Sequence, residues 1–121
     1  MNPDTRYAIA YIIGRLATGQ PSSSVYSYDD GVHHSISGTV SDLKVDVFDY
    51  STSSNIGGSG ANNKWNLFHY GHSSHVSLER RAPDSWNGFD YGTSSHYSAT
   101  TNDRDVSLFD YGDSSYHNYS V

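Results

Sequence analysis

FDYGTSSHYS, residues 89–98, returns with small changes as FDYSTSSNIG at 48–57, FHYGHSSHVS at 68–77 and FDYGDSSYHN at 109–118. A looser copy, YDDGVHHSIS, occupies 28–37. Aligned on this phrase, the chain beyond residue 24 divides into five units: 25–44, 45–64, 65–85, 86–105 and 106–121. A period near 20 residues marks an array of one small supersecondary element. Each unit opens on a β-rich run such as Val106-Ser107-Leu108-Phe109-Asp110-Tyr111 and ends in a second run rich in Ser and Tyr. Between the runs stands Gly31-Val32, Gly71-His72, Gly92-Thr93 or Gly112-Asp113, with Ser51-Thr52 as the exception. Glycine at the first of two turn positions suits a type II′ turn, where φ > 0 is required. Each unit therefore reads as a β-hairpin.

Such a turn sets the pairing: Tyr91 faces Ser94, Asp90 faces Ser95, Phe89 faces His96, Gly88 faces Tyr97 and Trp86 faces Ala99. Alternation then sorts side chains onto two faces. One carries Trp86, Gly88, Asp90, Ser95 and Tyr97, with Val45, Val47, Ile56, Trp65, Leu67, Val76, Val106 and Leu108 as counterparts. The other carries a ladder of Phe48, Phe68, Phe89 and Phe109, followed by Tyr50, Tyr70, Tyr91 and Tyr111, and also His75 and His96. The aspartate series, taken as Asp29, Asp49, Asp90 and Asp110, recurs because a carboxylate beside the turn can accept from hydroxyls and turn amides. His69 interrupts that series.

The rival architecture is a parallel β-solenoid with one coil per unit. It would stack like carboxylates about 4.8 Å apart, where they repel by roughly 1 kcal/mol in water and more when desolvated. A meander separates them by two strands, so hairpins are favoured. Ten strands side by side must curl or split. The expectation is a mainly β fold, one curled antiparallel sheet in the form of a roll or barrel, within a single domain spanning 1–121.

The first 20 residues differ from the rest. Asn2 suits an N-cap and Pro3 a first turn, while Ile9, Ile12, Ile13 and Leu16 follow the spacing of one apolar helix face. Gly19 and Pro21 end it. An amphipathic helix over 1–20 is predicted, joined by a linker at 21–24 and lying across one sheet face or plugging one end. The final unit stops inside its second strand, which predicts a free sheet edge at 116–121, a place for self-association.

The 121 residues carry 7 Lys and Arg against 13 Asp and Glu, a net charge of −6. That balance disfavours nucleic acid and anionic membranes as partners. With no cysteine, disulfides and thiolate metal sites are excluded. YAIAYII at 7–13 is too short for a membrane span and lacks the flanks of a secretion signal, which favours a cytoplasmic protein.

For chemistry, a carboxylate repeated in unit after unit is architecture, whereas a catalytic group is a single residue in an asymmetric pocket. No catalytic residue is expected, and no cofactor. His69, His72 and His75 have metal-like spacing, but alternation puts His69 and His75 on opposite faces, so no metal site is expected. The best functional candidate is the ladder: Phe68, Tyr70, His75, Phe89, Tyr91, His96, Phe109 and Tyr111. The expected function is a non-catalytic binding module presenting this aromatic and hydroxyl-rich face to a polar small molecule or glycan. The alternative is a structural protein that self-associates through the sheet edge or the helix, as a homo-oligomer.

Overall fold

A computed structural model describes all of residues 1–121. Helix α1 spans Pro3–Thr18. Ten strands follow: β1 Ser24–Ser27, β2 Val32–Val40, β3 Lys44–Asp49, β4 Ser54–Ala61, β5 Lys64–His69, β6 Ser74–Ala82, β7 Ser85–Asp90, β8 Ser95–Asn102, β9 Asp105–Asp110 and β10 Ser115–Ser120. Each strand pairs antiparallel with the next, and β10 returns to β1, so the sheet closes into a barrel. The parallel solenoid is thereby excluded. The predicted free edge is also corrected: Tyr26 pairs with Ser120 and Ser27 with Tyr119, and Tyr28 N–H donates to the Asn118 carbonyl at 3.1 Å. Closure removes the exposed ladder groups that an open sheet would leave.

The paired residues match the sequence reading, with Asp90 opposite Ser95, Phe89 opposite His96 and Trp86 opposite Ala99. The turn does not. Four residues, Tyr91 to Ser94, connect β7 to β8, and the left-handed residue is Ser94 (φ 54°) rather than Gly92. Ser53, Ser73 and Ser114 do the same in their hairpins, and Gly31 (φ 67°) does so in the first. Lengthening a loop from two residues to four is an even change, so every side chain keeps its face. Two-residue turns do occur, at the other end of the barrel, where Asn62 (φ 54°) and Asn63 (φ 62°) join β4 to β5. Asparagine tolerates that region, which makes it a natural type I′ turn.

The first hairpin also corrects the alignment. Its loop is Tyr28 to Gly31, because Ser27 pairs with Val32. Ser27, not Asp29, is therefore the equivalent of Asp90, and Tyr26 is the equivalent of Phe89. Aligning on the recurring phrase, aspartate to aspartate and glycine to glycine, shifts this unit by two residues.

The helix neither lies on the sheet nor plugs an end. It runs inside the barrel. Thr5 and every residue from Tyr7 to Ile13 are buried, and a helix buried on all sides belongs in an interior. The reason is volume. Eight strands enclose about what their own side chains fill, and ten enclose more. The lumen is lined by residues such as Val45, Val47, Leu67, Val76 and Leu108, which are too short to meet across it. Small Ala8 and Ala10 are as fully enclosed as the larger Ile9, Ile12 and Ile13. One inner layer alternates size: Gly88 replaces Leu67 or Leu108, and the Tyr97 ring crosses in its place to donate its hydroxyl to the Ser77 carbonyl at 2.7 Å.

Both helix ends are tied to the barrel. Asn2 occupies the N-cap position that the sequence suggests, but its side chain makes no capping hydrogen bond. At the other end Gly19 is left-handed (φ 66°), Tyr11 donates its hydroxyl to the Ser22 carbonyl, and Arg15 Nη1 reaches the Gly38 carbonyl at 2.6 Å. No helix is long and apolar enough to cross a membrane.

If α1 is the core filler, removing buried volume from it must act on the whole barrel. Ile12→Ala is expected to lower unfolding free energy by about 2–5 kcal/mol, read from the urea midpoint with tryptophan emission reporting on the wall residues Trp65 and Trp86.

Candidate functional site

The outer face is built one hairpin at a time. Phe68, Phe89 and Phe109 are half-buried on it, each held edge-on by the tyrosine two residues later at 4.7–4.8 Å between ring centres. On the neighbouring strand His75 stands 4.9 Å from Phe68, and His96 stands 4.6 Å from Phe89. Edge-to-face packing at these separations holds the rings in place. The tyrosines open the hairpin loops and stay exposed: Tyr70 63 %, Tyr91 61 % and Tyr111 58 %. The eight sequence-predicted residues thus share the outer face, but they are spread around the barrel, one set per hairpin.

Sequence reasoning missed the first hairpin's set. Tyr26 packs on Tyr28 at 4.9 Å and on His33 at 4.7 Å, and Tyr28 is 60 % exposed. Aligning loops on their left-handed residue, rather than on the aspartate, would have found it. In the last hairpin Tyr116 takes the position of His96, 4.8 Å from Phe109.

Between adjacent hairpins lie shallow grooves of one construction. Tyr70 walls a groove whose floor carries Asp46, Asn55 and Ser59. Tyr91 walls one over Asn66, His75 and Ser77. Tyr111 walls one over Asn87, His96 and Ser98. Tyr28 walls one over Ser107 and Asn118. Each combines an aromatic face with amide and hydroxyl donors and acceptors, the ordinary make-up of a site for a polar ligand.

The inner face ends, at the same rim, in a polar ring around the first turns of α1. Its members are Ser27, Asp49, His69, Asp90 and Asp110, all buried. The aspartates hold their loops. Asp90 accepts from Gly92 N–H at 2.9 Å and Thr93 Oγ1 at 3.1 Å, and Asp49 accepts from Ser51 N–H at 3.0 Å and Thr52 Oγ1 at 3.0 Å. The glycines at 71, 92 and 112 are there for space. A side chain at 92 would meet Ser74 Oγ at 2.6 Å, and one at 112 would meet Ser95 Oγ at 2.5 Å, so each hairpin seats its serine beneath the next loop.

The helix completes the ring's contacts. Tyr7 donates its hydroxyl to Asp49 Oδ2 at 2.5 Å and stacks on His34 at 3.9 Å. Burial, together with this contact to a carboxylate, pushes the Tyr7 hydroxyl far above the ordinary tyrosine range. Arg6 Nη1 lies 3.3 Å from Asp110 Oδ2. His117 faces inward between Asp113, at 2.8 Å, and Asp29. The positive end of the helix dipole sits among these carboxylates, which is the favourable arrangement.

His69, the break in the series, stands apart. It is 1 % exposed, and neither ring nitrogen has a hydrogen-bond partner. Leaving such a group unpaired costs about 1–3 kcal/mol. Burial first, and the nearby His72, push its pKa below the ordinary 6.5 against the pull of Asp4, so the neutral ring is favoured. His72, from the following loop, donates its Nε2–H to Asp4 Oδ2 at 2.8 Å. His75 points outward and takes no part, as alternation predicted. What the sequence could not place was Asp4, because nothing in the pattern says where α1 sits.

No family model, curated protein or solved structure matches this chain.

The two faces should respond differently to truncation. Asp90→Ala removes the acceptor for two loop donors in a buried place and is expected to lower stability by about 2–4 kcal/mol. Tyr91→Ala, on the outer face, should stay within about 0.5 kcal/mol of the parent. Urea titration of both variants checks the contrast.

Proposed function

We propose that this chain is a non-catalytic binding module that presents repeated tyrosine-walled grooves to a neutral polyhydroxylated ligand, an oligosaccharide in the first instance. The observation that carries this reading is the recurrence of one groove design at four places around the barrel, each with an exposed tyrosine over amide and hydroxyl groups. The exposed rings need a reason, since α1 already fills the core and leaves the ladder outside it. Aromatic buttresses, Phe68, Phe89 and Phe109 with Tyr26 in the first hairpin, hold the tyrosines in place before a ligand arrives, which lowers the ordering cost of binding.

Charge selects among polar ligands. A net charge of −6 repels nucleic acid and anionic glycans, whereas a neutral sugar chain meets no such barrier. Equivalent grooves lie two strands apart, roughly 10 Å along the sheet. A chain of sugar units can then occupy two at once, and linked weak sites gain about 10²–10⁴ in avidity over one. Catalysis is not part of the reading: the recurring carboxylates Asp49, Asp90 and Asp110 are engaged with their own loops or with Arg6. The self-assembly alternative loses its main support, because the sheet has no free edge to offer.

Calorimetric titration with a panel of neutral oligosaccharides tests this. Binding is expected to change little between low and high salt. Tyr91→Ala should weaken it by about 10-fold, and combined Tyr70→Ala, Tyr91→Ala and Tyr111→Ala should abolish avidity without shifting the melting temperature. Binding untouched by the triple change, or charged oligosaccharides preferred over neutral ones, would contradict the proposal.

A further inference from the structure

Asp4, His69 and His72 come from three elements: the first turn of α1, the end of β5 and the loop behind it. One donor atom from each lies within 4.8 Å of the others. His72 Nε2 is 2.8 Å from Asp4 Oδ2, and His69 Nε2 is 3.6 Å from the same oxygen. Ligands about 2.1 Å from a tetrahedral zinc ion stand about 3.4 Å apart, so small side-chain movements would bring all three donors onto one centre.

Proximity alone would not make a site. The independent observation is His69: buried, with its Nε2 turned toward Asp4 and no hydrogen bond to either nitrogen. The other titratable members of the ring are occupied. Asp49 has Tyr7 and Thr52, Asp90 has Thr93, and Asp110 has Arg6. The second cluster at this rim, Asp110, Asp113 and His117, is satisfied internally, because both His117 nitrogens already meet carboxylates. In the four other hairpins the His69 position is Ser or Asp, and only this hairpin adds a second imidazole at the loop position of His72.

We propose that Asp4, His69 and His72 bind a divalent first-row transition ion, with zinc the leading candidate, through two imidazoles and one carboxylate. Imidazole with carboxylate is a donor set suited to zinc, nickel and copper rather than to magnesium or calcium. Both His72 and Asp4 are partly exposed, at 34 % and 20 % of their side chains, so the ion can enter from solvent and keep open positions. Bound there, it would staple the first turn of α1 to the third hairpin. This inference does not rest on the carbohydrate reading.

The test uses the full untagged chain, freed of metal by chelation and titrated with zinc chloride by calorimetry. Cobalt chloride serves as a visible-absorption probe of the coordination. One ion per chain, a raised melting temperature and ligand-field bands for cobalt are expected. His72→Ala changes an exposed loop residue and should weaken zinc binding by more than the roughly 10- to 100-fold that loss of a supporting contact costs. His69→Asn should do the same, while His75→Ala, on the opposite face, should leave affinity unchanged. Absence of zinc binding, or zinc binding that survives His72→Ala undiminished, overturns the proposal. Should His69→Asn fail to fold by circular dichroism, His72→Ala decides alone.

Discussion

Ten antiparallel strands, closed on themselves, surround more space than their inward side chains can fill, and α1 fills it. The other features follow from that constraint. The seven consecutive buried residues from Tyr7 to Ile13 make sense only for a helix enclosed on all sides. The polar ring of Asp49, His69, Asp90 and Asp110 lies where the positive helix end can meet it, and Tyr7, Arg6 and Asp4 are delivered to that ring by the helix rather than by the sheet. With the interior filled from within, the barrel does not need its outer aromatics for a core, and the tyrosines at 28, 70, 91 and 111 remain in solvent.

Much of the sheet could be read from the chain because strand alternation has period two. Placing Phe89 and Trp86 on opposite faces depends only on parity, and parity survived a wrong turn type, since a loop of four residues differs from one of two by an even number. Ser94 shows why the turn itself was misjudged. Glycine is the usual sign of positive φ, yet here a serine adopts it, and the glycine two positions earlier answers to crowding from a serine in the neighbouring hairpin. Such a reason is tertiary and leaves no local mark. Tyr26 and Tyr28 were lost to an alignment anchored on the aspartate in the one hairpin that has serine there.

The helix was legible as an element but not as a location. Ile9, Ile12, Ile13 and Leu16 suggested one apolar face, while Ala8 and Ala10, which complete the buried surface, are too small to declare it. This also hid the convergence of Asp4 with His69 and His72. Within the sheet the histidines diverge, as alternation requires of His69 and His75. The third donor comes from α1, 65 residues before His69, and it can be placed only once the helix is known to enter the barrel.

Hydrogen exchange at the backbone amides of α1 tests this placement most directly. A helix enclosed by ten strands cannot open while the barrel stands, so amides from Tyr7 to Ile13 should exchange as slowly as those of β5 and β7, through global unfolding alone. Exchange in that segment orders of magnitude faster than in the strands, with the sheet still protected, would show a helix lying outside the barrel and would contradict the account.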